Sequence, residues 1–309
     1  MSELPKHKCL ILILGCNKQP SVRNIDAIFN SYVKLYNDNK SLFNNSFDFI
    51  VYSGGYDTCK IEGNKLCLTA GDDIYSTFEK TIEAFTYLNE LNKYDYIIRV
   101  NISTYVNMFA LDYLISNANN DTVYCNAICT YYNSNKYLNN VFPRGDAYII
   151  SNKILNQIIS TYNQYDVYSD DLSGIEHTDD ALLGLIFLKI FKNKTHDHIQ
   201  LLEYAFIPNM QLSINDYVKS VNVIFSRIKT CPPDAECSGY SWNDNNYRLN
   251  DVSKINNLNN FLLKNFAFLE NNAFNNILRD DGDFYIRYDE NIMPCKFSLL
   301  KRILNERGK

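Results

Sequence analysis

The chain has 309 residues, 46% hydrophobic and 21% charged, which is the composition of an ordinary globular protein with one sizeable core. Its formal net charge of −5 argues against a general nucleic-acid binder, because such proteins carry a basic stripe. The N-terminal apolar run CLILILG is too short to span a bilayer and precedes no small-residue cleavage site, so we expect no transmembrane segment.

Short β-branched runs alternate with amphipathic helical patterns along most of the chain. The predicted strands are, in chain order, KCLILILGC, FDFIVYSGG, NKLCLTAG, YDYIIRV, DTVYCNAICTYY and GDAYIIS. The predicted helices are SVRNIDAIFNSYVKLYN, DDIYSTFEKTIEAFTYLNEL, FALDYLISNA, NKILNQIISTYN and HTDDALLGLIFLKIF. Strands that are apolar on both faces and separated by helices predict an α/β fold, in which helices flank a mixed, mostly parallel sheet.

Polar tips follow three of the predicted strands, with the sequences GCNKQPS, YSGGYD and VNIST. In α/β sheets, ligands bind beyond the carboxyl ends of the strands. We therefore expect these tips to converge on one crevice.

The sequence changes character from about Ser253. The segment KINNLNNFLLKNFAFLENNAFNNIL has helical spacing, and the tail ends in basic residues. We predict one catalytic domain over residues 1–252 and a helical C-terminal extension over 253–309, which either caps the catalytic unit or contacts a partner.

Four elements recur in an order that resembles the GT-A glycosyltransferases of the β-1,3-galactosyltransferase and Fringe type. They are DIYSTFEKTIEAFTYL, YDYIIRVNISTYVNMFALDYLI, GDAYIISNKIL and HTDDALLGLIF. The matching residues are Lys80, Thr81, Val106, Asn107, Gly145, Tyr148, Ser151, Asp179, Asp180 and Gly184. Bacterial and large-virus transferases whose strand ends in Arg-Thr-Asn-x-Ser-Ser, where other members have Asp-x-Asp, are the most similar. The resemblance covers about residues 70–190 and implies a GT-A-like fold.

The resemblance gives Asp180, beside Asp179, the role of general base in an inverting displacement. That role requires an ionised carboxylate within hydrogen-bond reach of the acceptor hydroxyl. The alternative is that both aspartates only complement the dipole at a helix start that Thr178 caps.

Asn101, Ile102 and Ser103 stand where the family has its aspartates. Neutral oxygens are poor sole ligands for Mn²⁺ or Mg²⁺, so the cofactor is either none or a divalent cation with further ligands. Asn101 and Ser103 would then contact the ribose, the diphosphate or a metal-bound water. His198, two residues after His196, is a minor option as a metal ligand, with a solvated loop as its alternative.

Basic residues later in the chain offer a protein-borne cation for the diphosphate. The predicted strand VNVIFSRIKT places Arg227 and Lys229 on one face, and Arg248 follows. The alternative is an amphipathic strand with a solvated basic face. Arg99, inside a strand, suits a structural ion pair better.

Donor contacts are expected from the strand tips that carry Asn17, Tyr56 and Asp57, because a tyrosine can stack on a nucleobase. A simple turn is the alternative. The resemblance places Gly145, Asp146 and Tyr148 near the sugar. There Asp146 either contacts a sugar hydroxyl or pairs with Arg144 on the surface.

The expected function is glycosyl transfer from a nucleotide-sugar donor, UDP-linked by preference, to a hydroxyl of a glycan or glycoconjugate. The cysteines are scattered without a C-x-x-C pair, which predicts reduced thiols and a cytoplasmic location, in the host if the source is a virus. One alternative is a sugar nucleotidyltransferase, for which GCNKQPS is only a weak phosphate loop. The other is an inactive sugar-binding, nucleotide-binding or assembly protein, against which the Asp179–Asp180 pair argues.

Overall fold

The computed structural model describes residues 6–17, 21–73, 75–126, 128–132, 141–168, 179–192, 194–207, 211–221, 223–228, 245–264, 278–279, 283–288 and 291–296. Its strands are β1 (Lys8–Leu14), β2 (Ser46–Ser53), β3 (Lys60–Glu62), β4 (Lys65–Cys67), β5 (Tyr96–Asn101), β6 (Thr104–Val106), β7 (Val123–Cys125), β8 (Ile128–Tyr132), β9 (Val141–Pro143), β10 (Ala147–Ser151), β11 (Ile199–Leu202), β12 (Tyr204–Phe206), β13 (Phe225–Arg227), β14 (Leu278–Arg279), β15 (Asp283–Tyr288) and β16 (Asn291–Lys296).

Its helices are α1 (Ser21–Ile28), α2 (Lys34–Asp38), α3 (Thr77–Leu91), α4 (Met108–Ser116), α5 (Asn152–Tyr162), α6 (Asp179–Ile190), α7 (Ile214–Val221) and α8 (Asn245–Lys264). A π-helical segment, Phe29–Val33, joins α1 to α2. Short 3₁₀ turns occupy Lys40–Leu42 and Thr195–Asp197. In the described part of the chain, no helix is both long and apolar enough to cross a lipid bilayer.

The main sheet has nine strands in the order β14-β11-β7-β10-β5-β1-β2-β4-β3. Strands β1, β2, β4 and β5 are parallel, and β10 runs antiparallel to both of its neighbours, β5 and β7. Strand β11 is parallel to β7, so six strands point the same way while β3, β10 and β14 point the other way. The predicted mixed, mostly parallel α/β sheet is therefore confirmed.

Two apolar layers cover the two faces of this sheet. One layer contains buried side chains of α3, α5 and α6, and the other contains those of α1, α2, α4 and α8. Strand β1 alternates between them: Leu10 and Leu12 belong to the first layer, and Ile11 and Ile13 to the second. Burial on both faces explains why the strands are continuously apolar rather than alternating.

Two smaller sheets complete the described fold, with the orders β12-β13-β6 and β16-β15-β8-β9. Strand β13 pairs with β6, and its residue Arg227 lies opposite Thr104. The N–H of Ile228 donates to the carbonyl of Ser103 at 2.9 Å. This pairing brings β13 directly against the turn that follows β5.

The C-terminal segment differs from the prediction. Helix α8 runs through the predicted boundary at residues 252 and 253, because Val252, Ile255, Leu258 and Leu262 continue one apolar face packed in the second layer. After α8, β14 joins the main sheet and β15 and β16 join β8, so the extension is not purely helical. A separate domain beginning at residue 253 stays a prediction.

Candidate active site

Strands β1, β2 and β5 end at the same edge of the main sheet, which we call the carboxyl edge. The antiparallel β10 begins there, with Ala147 opposite Val100. The N–H of Asn101 donates to the carbonyl of Asp146 at 3.0 Å, which ties the two chain segments together. The polar tips singled out in the sequence therefore lie along one edge.

Two adjacent carboxyls, those of Asp179 and Asp180, lie in the first turn of α6, and their hydrogen-bond partners differ. Asp179 Oδ2 accepts from Nη2 of Arg99 at 2.7 Å, and the Arg99 side chain is only 1% exposed. Asp180 Oδ2 accepts instead from the backbone N–H of Gly145 at 2.9 Å. One aspartate is thus an ion-pair partner, and the other is held by a neutral peptide group.

Burial raises the pKa of Asp180 to about 8, and the charge and hydrogen bond of Asp179 add to the effect. The peptide N–H of Gly145 works in the opposite direction but is outweighed. A carboxyl with such a pKa is a much stronger base than an ordinary aspartate once it is ionised. Strongly perturbed carboxyls are typical of catalytic sites, although buried structural pairs show them too.

Gly145 belongs to the sequence pattern noted above, and a side chain at this position would lie directly against the charged groups of the site. A Cβ at this position would lie 3.4 Å from each of three polar atoms: Nη1 of Arg99, Oδ1 of Asp179 and Oδ1 of Asp180. A larger residue would press on both carboxyls. The absence of a side chain at this position therefore leaves room for Arg99 and the two carboxyls to approach one another.

Arg99 is surrounded by further partners. Its Nε donates to the hydroxyl of Tyr52 at 3.2 Å, and Nη1 donates to the carbonyl of Gly145. Tyr52 also hydrogen-bonds Thr81 at 3.0 Å. Burial alone would lower the pKa of Arg99, but Tyr52 and Asp179 raise it above its ordinary value, so the guanidinium stays charged.

Tyr148 was expected near the sugar, but it faces the protein interior. It is 2% exposed, and its ring lies 5.7 Å from the guanidinium carbon of Arg99. The alternation along β10 directs Tyr148 into the first apolar layer, together with Ile150. Its place in the sequence pattern is therefore explained by support of Arg99 rather than by a ligand.

Asn101 and Ser103 form a closed turn between β5 and β6. Oδ1 of Asn101 accepts from both the N–H and the hydroxyl of Ser103, each at 3.3 Å, and Ser103 is fully buried. The amide oxygen is thus already an acceptor, and neither side chain is a carboxylate. These two residues do not fit the ligand set that Mn²⁺ or Mg²⁺ prefers.

Asp146 is buried between two arginines. Its Oδ2 accepts from Nε of Arg144 at 2.7 Å, and its Oδ1 lies 3.4 Å from Nε of Arg227. Burial alone would raise the pKa of Asp146, but Arg227 and Arg144 outweigh it and hold the pKa below its ordinary value. The predicted pairing with Arg144 is confirmed, although Asp146 is buried rather than on the surface.

Arg227 does not lie on a solvated basic face, which was the alternative for its strand. It is 6% exposed, and its Nη1 is buried without a hydrogen-bond partner among the residues that the structure describes. An unsatisfied guanidinium N–H is costly, which favours a role for this atom. Lys229 and the side chain of Arg248 lie outside the described residues, although the backbone of Arg248 belongs to α8.

A second polar cluster, at the ends of β1 and β2, is centred on Asn17. Its Oδ1 accepts from the hydroxyl of Tyr56 and from Nζ of Lys65, each at 2.7 Å. The Lys65 ammonium also lies 4.8 Å from the centre of the Tyr56 ring. Asp57 is exposed beside them. Tyr56 and Asn17 are therefore together, as the strand tips predict.

Asp72 and Lys80 anchor this cluster, and the sequence analysis did not assign either of them to it. Asp72 accepts from the N–H of Asn17 at 2.8 Å and from the N–H of Gly54 at 3.1 Å. Lys80 Nζ lies 3.3 Å from the same carboxylate and is 3% exposed. Lys65 was missed as well: the predicted strand NKLCLTAG contains it, but its position beside Asn17 follows from the pairing of β4 with β2, which the sequence does not reveal. Lys80 and Thr81 match the sequence pattern, but that match indicated no contact between Lys80 and this cluster.

His198 does not lie at the carboxyl edge. It directly precedes β11, which runs parallel to β7, so it lies at the opposite edge of the sheet. Its ring stacks on Phe191 at 4.2 Å, and Nδ1 lies 3.1 Å from the carbonyl of Asp121. His196 is buried in a 3₁₀ turn instead of sharing a strand face with it. His198 is therefore not placed to contribute to the carboxyl edge, and a metal-binding role for it stays a prediction.

The described residues contain no group of three or more His, Cys, Asp and Glu side chains placed to hold a metal ion. A donor set for a divalent cation is therefore not evident from the part of the chain that the structure covers. Of the residues that the structure describes, Arg144 and Arg227 bring positive charge close to the turn of Asn101.

No protein-family model and no curated protein sequence matches the chain. Among solved structures, the chain is similar to a glycosyltransferase involved in the glycosylation of the major capsid of PBCV-1, with a TM-score of 0.38, 8% identity, and coverage of 80% of this chain and 98% of that one. It is also similar to the galactosyltransferase LgtC in complex with donor and acceptor sugar analogs, with a TM-score of 0.38, 11% identity, and coverage of 79% and 95%. The cytidylyltransferase IspD of Francisella tularensis gives a TM-score of 0.32, 10% identity, and coverage of 58% and 86%. Similarities this distant assign neither a family nor an activity.

Proposed function

We propose that the protein transfers a sugar from a nucleotide-activated donor to a glycan hydroxyl, with inversion at the anomeric carbon and Asp180 as general base. The main support for the proposal is that the two adjacent carboxyls have different environments. Asp179 pairs with buried Arg99, while Asp180 accepts a neutral N–H and has a pKa raised to about 8. A displacement by a hydroxyl needs one such base at the carboxyl edge of the sheet.

The step balances in atoms and charge. The acceptor oxygen forms a bond to the anomeric carbon, and its proton passes to the Asp180 carboxylate. The bond between the anomeric carbon and the diphosphate oxygen breaks, and its electron pair leaves with the nucleoside diphosphate. Because nucleophile and leaving group lie on opposite faces of the sugar, the anomeric configuration inverts.

The negative charge that grows on the leaving diphosphate needs a cation. Arg227 supports a cation supplied by the protein itself, since its Nε lies near Asp146 and its Nη1 has no hydrogen-bond partner in the described part of the chain. Guanidinium groups match diphosphate oxygens geometrically. We assign the same role to Lys229 and Arg248, with the turn of Asn101 and Ser103 lining the region. Asn17, Tyr56, Asp57 and Lys65 would hold the nucleoside, for which uridine is the first choice.

The first test is a thermal-shift panel of UDP, GDP, CMP and dTDP, each with EDTA and with Mn²⁺. The account predicts that one nucleotide stabilises the protein and that the shift survives EDTA, because the charge partner is arginine. A shift that appears only with Mn²⁺ would contradict the protein-borne cation. No shift with any nucleotide would contradict a nucleotide-sugar donor.

The second test uses the donor identified in that way, in a transfer assay with Asp180→Asn. General bases contribute roughly 10²–10⁴-fold, so turnover should fall by at least about 100-fold while donor affinity stays within about twofold. Asp38→Asn, an exposed aspartate in α2, is the matched control and should retain full activity. If Asp180→Asn binds donor normally and turns it over at the wild-type rate, Asp180 is not the base.

A further inference from the structure

Arg99 stands in the middle of a fully buried strand, where an unpaired charge is very costly. Its three nitrogens go in three directions: Nε to Tyr52, Nη1 to the carbonyl of Gly145, and Nη2 to Asp179. The sequence pattern assigned it no chemistry. Its contacts connect it to both carboxyls of the site.

We propose that Arg99 is a positioning residue that holds Asp179 as a carboxylate and fixes Gly145, so that Asp180 alone takes up and releases the proton. The catalytic use of that proton rests on the proposed function, but the division of roles between the two aspartates does not.

Gly145 is the physical link between the arginine and the base. Its carbonyl accepts from Arg99, and its N–H donates to Asp180 at 2.9 Å. The same peptide region is therefore fixed on one side by the guanidinium and presents a donor on the other side. A shift of Arg99 would move Gly145, and Asp180 would lose the group that orients it.

Within the part of the chain that the structure describes, charged and titratable groups reach the pair from four elements. Tyr52 comes from β2, Arg99 from β5, Tyr148 from β10 and Asp179 from α6 itself. From α3, Lys80 is directed to Asp72 instead, and the neighbouring Thr81 contacts Tyr52. Among these groups Arg99 is the cation that contacts the pair, and it contacts Asp179 rather than Asp180. The remaining one, Asp180, lies beside an anion, which opposes its ionisation.

A lysine would reproduce the charge but not the geometry. A guanidinium offers several N–H groups in one fixed plane, and here three of its nitrogens reach a hydroxyl, a carbonyl and a carboxylate. An ammonium on a flexible stem holds fewer of these partners in a defined arrangement. Arg99→Lys therefore separates the electrostatic part of the role from the positioning part.

The experiment is a carboxyl-carbon NMR titration of protein labelled with ¹³C-aspartate, without substrate. Asp179→Asn and Asp180→Asn assign the two resonances. In the wild type, the Asp180 resonance should titrate near pH 8. In Asp179→Asn, the Asp180 midpoint should fall by about one pH unit or more, because the neighbouring anion is gone.

Arg99→Gln removes the cation that contacts the pair, so the Asp180 midpoint should rise. Arg99→Lys keeps the charge and should keep the Asp180 midpoint, while its transfer rate falls because Gly145 is no longer fixed. An unchanged Asp180 midpoint in Asp179→Asn would overturn the proposal, as would an Arg99→Gln protein that keeps the wild-type Asp180 midpoint. If Arg99→Gln does not fold, the Asp180 midpoint in the isosteric Asp179→Asn variant still tests the proposal.

This titration is independent of the reaction. If the resonances behave as expected but no sugar transfer is found, the proposed function fails and the division of roles stands. If transfer depends on Asp180 but the resonances do not respond to Asp179→Asn, only the role of Arg99 fails.

Discussion

At the scale of single residues, the environment that would make Asp180 a strong base also lowers the stability of the folded protein. Its carboxyl is held where burial and Asp179 oppose ionisation, so the pKa rises to about 8 from an ordinary value near 4. Active sites commonly contain groups whose environment increases reactivity at the expense of the stability of the folded state. That cost can be measured separately from any activity.

The first residue-scale prediction concerns the pH dependence of stability. Between about pH 4 and pH 8 the folded protein holds a proton on Asp180 that the unfolded chain has lost, so this group makes stability fall as pH rises. Asp180→Asn removes the penalty. Its melting temperature should match the wild type near pH 4 and exceed it by several degrees above pH 8.

The measurement is differential scanning calorimetry of both proteins at pH 4.5 and pH 8.5. Asp38→Asn, whose carboxyl is exposed, serves as the control and should show no pH-dependent gain. An equal difference between Asp180→Asn and wild type at both pH values would mean that Asp180 ionises normally in the folded protein.

The residues of the site could be predicted unevenly from the sequence. Asp179, Asp180 and Gly145 fall in a recognisable pattern because their types and spacing at a helix start and a strand start are local features. Lys65 and Asp72 could not be found, since their role depends on how β4 and the segment after it lie against the end of β1. Tyr148 was misplaced because the sequence pattern does not reveal the face of the strand that a residue occupies.

At the scale of elements, the position of α6 depends on a close contact with β9. A Cβ on Gly184 would lie 2.7 Å from two ring carbons of Phe142, which is 1% exposed. The glycine therefore lets the helix approach closely enough to place Asp179 and Asp180 at the carboxyl edge. Gly184 thus matches the sequence pattern because of packing, without contact to a ligand.

The prediction is that Gly184→Ala destabilises the protein by about 1–2 kcal/mol. Overpacking costs roughly 1–3 kcal/mol, while the better helix propensity of alanine returns up to about 1 kcal/mol. Urea unfolding measures the difference. In a Phe142→Ala background the same substitution should become neutral or stabilising, because the clashing ring is absent. A cost that persists without the ring would show that the contact is not its cause.

Element prediction from the sequence succeeded where periodicity was strong. The strands β1, β2, β5 and β10 and the helices α3, α5 and α6 are found within a few residues of the predicted segments. DTVYCNAICTYY was predicted as one strand, but β7 and β8 belong to two different sheets. The hydrophobic pattern continues across that break, so only the pairing partners reveal it. The same limit explains why β14, β15 and β16 were missed.

At the scale of the whole molecule, the fold class followed from burial on both faces of the strands, whereas the strand order did not. The antiparallel β10 lies between β5 and β7, and this arrangement brings Gly145 and Asp146 to the end of β5. Sequence spacing does not encode which edge a strand joins. The site is thus assembled by long-range pairings, and its existence could be predicted more reliably than its geometry.

The central claim, that Asp180 is the base of a sugar transfer, is tested most directly by the pH dependence of the transfer rate. With saturating donor, the account predicts a rate that rises with pH and reaches a plateau above about pH 8, as Asp180 ionises. The residual rate of Asp180→Asn should lack this rise. A wild-type rate that does not change between pH 6 and pH 9, or an identical rise in Asp180→Asn, would contradict the claim.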